Sequence, residues 1–165
     1  MINKITPNIF QLYFKEFSSC IYLIKLNNQN ILIDTGSKKA RPELLEDLSK
    51  LNTKPKEIKI IILTHPHYDH IENNNIFPDA KIYNFNNINQ LPQEILKQFK
   101  IIQTPGHTKD SITILYKDIL FSGDTLFYNG IGRTDFPESQ PEKMQESLNK
   151  LKNLNYKILC PGHVS

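Results

Sequence analysis

The sequence predicts a mixed α/β (α+β) protein in which sheets pack together and helices lie outside. Three observations lead there. Strand-like runs dominate the first third. The order of strands followed by a helix returns in the second half. Only two segments carry clear helical periodicity. A length of 165 residues favours one compact domain over 1–165.

The elements come in this order. Ile9 to Phe14, Cys20 to Leu26 and Ile31 to Ile33 read as strands. The polar stretch Asn27-Asn28-Gln29-Asn30 reads as the hairpin turn between the last two. Pro42 suits a first helical turn, and Leu44, Leu45, Leu48 and Leu51 recur at helical spacing, so a helix is expected over Pro42–Leu51. Ile58 to Leu63 is a β-branched run without that spacing and reads as a buried strand leading into Thr64-His65. Short strands are expected around Lys81–Tyr83 and Lys100–Gln103, with a helix near Leu91–Phe99 between them. Ile112–Tyr116 and Asp118–Phe121 read as a second hairpin. Met144, Leu148 and Leu151 share one face of a helix over Pro141–Leu151, and Lys157–Cys160 is the last strand.

Composition narrows the function. Hydrophobic content of 39% and charged content of 22% suit a globular chain, and no apolar run approaches the ~20 residues of a membrane span. The first residues lack the basic-then-apolar layout of a signal peptide, so a cytoplasmic location is expected. Net charge is +3, carried almost wholly by lysine, with Arg41 and Arg133 the only arginines. Arginine is the residue of bidentate base and phosphate recognition, so nucleic acid is not indicated and a small-molecule substrate is expected. Oligomeric state is not read from the sequence. Cys20 and Cys160 lie in apolar runs and read as buried free thiols.

All five histidines fall in short segments marked by proline or glycine. Thr64-His65-Pro66-His67-Tyr68-Asp69-His70 packs four candidate ligands, His65, His67, Asp69 and His70, into six residues just past a strand. Imidazole and carboxylate together suit zinc, manganese or iron. His107 and His163 each follow a strand and then Pro-Gly, a turn that can aim the next side chain inward. Asp124, after Phe121-Ser122-Gly123, reads alone as a turn residue or helix cap. Beside the histidines it reads as the carboxylate able to bridge two cations.

These segments, with Ile31-Leu32-Ile33-Asp34-Thr35-Gly36, resemble the metallo-β-lactamase superfamily, in order from about residue 9 to the C-terminus. The resemblance implies an αββα sandwich with a dinuclear site at one sheet edge. It implies that His65, His67 and His107 hold the first metal. Asp69, His70 and His163 would hold the second, with Asp124 bridging and Asp34 steadying the histidines by hydrogen bonds. Glu72 and Asn73 stand where that family frequently has glycine. Gly123-Asp124-Thr125-Leu126-Phe127 and Gly130-Ile131-Gly132-Arg133-Thr134-Asp135-Phe136 are similar to the glyoxalase II-like (hydroxyacylglutathione hydrolase-like) group. The second of these segments also marks the related persulfide dioxygenases.

The function implied is a hydrolase with two zinc ions, iron or manganese being alternatives, that cleaves thioesters. Two cations sharing a water lower its pKa from 15.7 toward about 7, giving a bridging hydroxide, and Asp69 would orient it as the catalytic carboxylate. Tyr128 and Arg133 are candidates to contact substrate. They read equally as a surface aromatic and as an ion pair with Asp135. The chain ends two residues past His163, so the helical region that helps glyoxalase II enzymes bind glutathione is expected to be absent. The short stretch between His70 and His107 suggests an open groove without a lid. Two further readings use the same ligands. One is hydrolysis of β-lactams, lactones or phosphodiesters, including RNA. The other is a persulfide dioxygenase with one iron on His65, His67 or His107, and Asp124. A metal-stabilised binding module needs only four ligands, fewer than the seven present.

Overall fold

Two β-sheets organise the chain, one in each of two compact units, Met1–Tyr83 and Asn84–Ser165. The computed structural model describes residues 1–26 and 29–164.

The first unit holds a six-stranded sheet. Its strands are β1 (Ile2–Thr6), β2 (Ile9–Leu12), β3 (Ile21–Leu26), β4 (Gln29–Ile33), β5 (Ile58–Ile62) and β6 (Lys81–Tyr83), in spatial order 1-2-3-4-5-6. The first four form an antiparallel meander, and β4, β5 and β6 run parallel. Helix α1 (Arg41–Lys50) supplies the crossover that parallel pairing of β4 with β5 requires. It opens on Ala40 with Pro42 in its first turn, where a missing N–H costs nothing. Leu44 and Leu48 are fully buried and join Leu12, Ile21, Leu23, Leu32, Ile58, Ile61, Leu63 and Phe77 in one apolar cluster. Leu45, on the opposite side of the turn, is 39% exposed.

The second unit holds a four-stranded sheet of β7 (Phe99–Gln103), β8 (Ile112–Tyr116), β9 (Ile119–Gly123) and β10 (Ile158–Pro161), in order 10-9-8-7. Strands β7 to β9 are antiparallel, and β10 lies parallel to β9 after helix α4 (Pro141–Lys152). The β8–β9 hairpin turns on Lys117-Asp118, with Lys117 at φ 56°. Met144 and Leu151 of α4 are buried.

The expected elements are found with ends shifted by a residue or two, with four differences, one of them a single-turn helix at Tyr68–Ile71 in the stretch read as a loop. Strand β1 was not anticipated. It is an edge strand with both Asn3 and Lys4 exposed, so burial left no apolar alternation to read. The helix expected near Leu91–Phe99 contracts to α3 (Gln93–Leu96), because Pro92 sets its start and Phe99 is already drawn into β7. The expected Asn27–Asn30 turn falls partly on Asn27 and Asn28, outside the described residues, while Gln29 and Asn30 belong to β4. Among the described residues no helix is long and apolar enough to cross a membrane.

Leu48 tests the packing of α1. Leu48→Ala should lower the unfolding free energy by about 2–5 kcal/mol in urea denaturation, through lost transfer energy and the cavity left behind. A loss below about 1 kcal/mol would mean that α1 is not packed as described.

Candidate metal centre

In the first unit, β4 and β5 run parallel and so end on the same side of the sheet. Asp34 follows the end of β4, and Thr64 lies just past β5. One Asp34 oxygen accepts the Thr64 backbone N–H at 2.8 Å. The other accepts the Thr64 hydroxyl at 2.8 Å and the Nδ1–H of His70 at 2.7 Å. The short His70 contact is a charge-assisted bond within a fully buried pair. It places the ring proton on Nδ1 and leaves Nε2 as the lone-pair nitrogen. Asp34 reaches this position with φ 61°, a left-handed backbone that costs a non-glycine residue on the order of 1–3 kcal/mol.

Thr64 passes the same constraint to its neighbour. Its single hydroxyl proton goes to Asp34, so its oxygen accepts from His65 Nδ1 at 3.0 Å. His65 Nε2 is thereby directed toward His67 Nδ1, 3.1 Å away. A proton or a cation must sit between two imidazole nitrogens this close. Two nitrogens bound tetrahedrally to one ion at 2.0–2.1 Å would be about 3.3 Å apart, so the pair fits zinc-like coordination. His67 immediately precedes helix α2 (Tyr68–Ile71), whose single turn sets Asp69 and His70 side by side. Asp69 Oδ2 lies 3.9 Å from His70 Nε2.

In the second unit the acceptors are main-chain carbonyls. His107 sits in the β7–β8 connection. Ser147 of α4 donates to Pro105 O at 2.6 Å, Ser139 donates to His107 O at 2.7 Å, and Gln140 N–H donates to Gly106 O at 2.8 Å. His107 Nδ1–H then donates to the backbone carbonyl of Arg133 at 2.7 Å, which again leaves Nε2 as the lone-pair nitrogen. Asp124 follows Gly123, which closes β9 at φ 51°. Parallel β10 brings His163 beside it, with Gly162 N–H donating to Gly123 O at 2.8 Å. The outcome is one carboxylate oxygen, Asp124 Oδ2, at 3.5 Å from His107 Nε2 and 3.4 Å from His163 Nε2.

The two substrate candidates have internal partners. Tyr128 is exposed, and its hydroxyl donates to Leu159 O at 2.6 Å. Arg133 grips Asp135 through Nε and Nη2, both at 2.9 Å, and its guanidinium stacks 4.5 Å from the Phe136 ring centre. Donation from Arg133 holds the Asp135 carboxyl below its ordinary range. The loop's contribution to His107 is a backbone oxygen. Gly132 makes that approach feasible: a Cβ there would overlap the Asp124 carbonyl oxygen and lie 3.0 Å from His107 Nδ1. Thr64, Gly132 and the Arg133 carbonyl were not anticipated as contributors. Thr64 lies inside the histidine segment, but nothing local distinguishes a hydroxyl that relays a hydrogen bond. The other two depend on where a loop folds back.

Each unit thus collects imidazoles and carboxylates with little solvent. Asp34, Asp69, His65, His70, His107 and Asp124 are all buried or nearly so. Buried carboxylates persist when paired or bound to a cation.

Two outcomes check this geometry. Gly132→Ala should displace the Arg133 carbonyl from His107 and lower bound metal per chain by elemental analysis; full occupancy would show the close approach to be dispensable. In Arg133→Ala, Asp135 should titrate at a higher pH than in the wild type, followed by carboxyl carbon NMR. Because the folded value is the lower one, the pair's contribution is present above the unfolded value and fades as pH falls through the folded one. An unmoved titration would mean that Arg133 is not the cause.

A family model described as the metallo-beta-lactamase superfamily matches residues 15–84 and 90–163. A probable metallo-hydrolase of Methanocaldococcus jannaschii is 39% identical over 143 residues, covering 81% of this chain and 70% of the relative. A probable hydroxyacylglutathione hydrolase of Schizosaccharomyces pombe is 37% identical over 145 residues, covering 75% of this chain; the match spans 56% of that protein's length. Among solved structures, a di-iron-bound form of TTHA1623 superposes with a TM-score of 0.77 at 22% identity, covering 94% of this chain and 92% of that one. With mixed α/β architecture, two sheets and His/Asp groups suited to divalent metals, the chain belongs to the metallo-beta-lactamase superfamily as a metallo-hydrolase.

Proposed function

We propose that the protein is a metallo-hydrolase with a dinuclear metal centre that hydrolyses small-molecule thioesters. The observation that carries this is Asp124 Oδ2, flanked by His107 Nε2 and His163 Nε2 at 3.5 and 3.4 Å. A carboxylate between two imidazoles suits the bridge of a two-cation site. His65, His67 and His107 would hold one ion, and Asp69, His70 and His163 the other. The family match supports this reading, because it spans residues 15–84 and 90–163 and so includes every candidate ligand. Similarity to hydroxyacylglutathione hydrolases supports cleavage of an S-acyl bond.

Bound divalent cations would supply a polarised carbonyl and an acidified water. The chain's own residues do the rest. Asp34 and Thr64 keep protons on Nδ1 of His70 and His65, so both rings present Nε2. The Arg133 carbonyl does the same for His107. The Asp69 carboxylate would accept a hydrogen bond from the attacking water and aim it at the acyl carbon. No serine or cysteine nucleophile is required. Zinc is the leading ion. Iron is the alternative, supported by a di-iron structure of the same fold.

Elemental analysis of the purified protein should find about two zinc or iron ions per chain, the occupancy of a two-metal site. S-acylglutathione and S-acyl-N-acetylcysteamine should both be hydrolysed, and nitrocefin much more slowly. A fully loaded protein inert to both thioesters would overturn the substrate class. Nitrocefin cleavage at the higher kcat/KM would move the reading to β-lactams. Asp124→Ala should lose most bound metal together with activity, whereas full occupancy in that variant would rule out the bridge.

A further inference from the structure

Asn73 is a fully buried amide that the chemistry above does not use. Its Nδ2 donates to Thr35 O and to Ser37 O, both at 2.8 Å. Its Oδ1 accepts from Arg41 Nε at 2.8 Å. The orientation of the amide is determined by these partners, since the reverse would set its oxygen against two carbonyls. Arg41 also donates to Asn75 Oδ1 at 3.1 Å. Three neighbouring contacts run the same way: Thr35 N–H to His70 O at 2.8 Å, Glu72 N–H to Gly36 O at 3.1 Å, and Lys38 N–H to the Glu72 carboxylate at 2.7 Å.

These bonds staple the segment Asp34–Lys38 to the segment His70–Asn75. Asp34, at the head of the first segment, has its carboxylate on His70, near the head of the second. The strained φ of 61° at Asp34 persists only if the adjoining turn is held in place. Gly36, at φ 74°, gives that turn little stiffness of its own. The Asn73 amide grips the two carbonyls on either side of Gly36 and supplies that stiffness. The Glu72 carboxylate and the Asn73 amide both make their contacts through side-chain atoms.

We propose that Asn73, anchored by Arg41, is a positioning residue for the metal site: it clamps the Asp34–Ser37 turn and so aims Asp34 at His70 Nδ1. The proposal rests on the reading of His70 as a metal ligand. Asn73→Asp keeps the shape and the Arg41 partner but loses both N–H donors. Asn75→Ala removes only an exposed contact to Arg41.

The test uses two readouts on the full chain. The first is zinc affinity, by titration of metal-free protein against a chromophoric chelator. The second is the His70 Nδ1–H proton signal in the metal-free protein, which the bond to Asp34 shields from exchange. In Asn73→Asp and Asn73→Ala, zinc binding should weaken ~10–100-fold, as for other groups that orient a ligand, and the His70 signal should vanish. Asn75→Ala should match the wild type in both. A merely structural role would lower thermal stability and leave both readouts unchanged; zinc affinity within ~3-fold of wild type with the signal retained overturns the proposal. If neither Asn73 variant folds, Arg41→Gln decides, with ~3–10-fold weaker zinc binding expected and no change contradicting it. If the wild type itself takes up neither zinc nor iron, the proposed function fails, while the His70 signal still tests the clamp.

Discussion

The carboxylate of Asp34 is the constraint on which the first unit's cluster of candidate ligands depends. It accepts three hydrogen bonds from two residues, Thr64 and His70, at 2.7–2.8 Å. Those bonds join the ends of two parallel strands and fix the protonated nitrogen of one histidine directly and of another through the Thr64 hydroxyl. The carboxylate is 2% exposed, so these donors replace the hydrogen bonds that water would otherwise make. The left-handed backbone at Asp34 is the cost of placing it there.

The second unit solves the same problem with main-chain groups. A backbone carbonyl replaces a carboxylate as the acceptor from His107. A carbonyl adds no negative charge beside Asp124, which already faces two imidazoles from one oxygen. A second carboxylate there would raise the cost of burying Asp124 ionised. The loop that delivers the carbonyl is stiffened at its exposed end by Arg133 gripping Asp135 and stacking on Phe136. An exposed ion pair contributes little to stability, so its effect is to restrict the loop. Gly132 then lets that loop touch the backbone of Asp124.

The orienting partners of His70 and His107 come from other segments of the chain. Asp34 serves His70 from the end of the neighbouring strand, while Thr64 serves His65 from the adjacent position. Arg133 serves His107 from 26 residues along the chain. Polar groups this buried need complete hydrogen bonding, and a single segment cannot supply it.

The order of strands and the two long helices were legible in the sequence because burial imposes periodicity on it. Leu44 and Leu48 in α1 and the run Ile58–Ile62 in β5 show this most clearly. The histidine segment was legible because its candidate ligands are adjacent along the chain. Edge strand β1 and the shortened α3 were not, since neither buries a continuous apolar face. The tertiary structure alone decided which nitrogen of His70 and of His107 carries the proton, because that depends on acceptors distant in sequence. It alone decided that Arg133 contributes a carbonyl, and that Asn73 braces the turn after Asp34. Periodicity records which faces are buried, whereas hydrogen bonds between segments depend on how the backbone returns to itself.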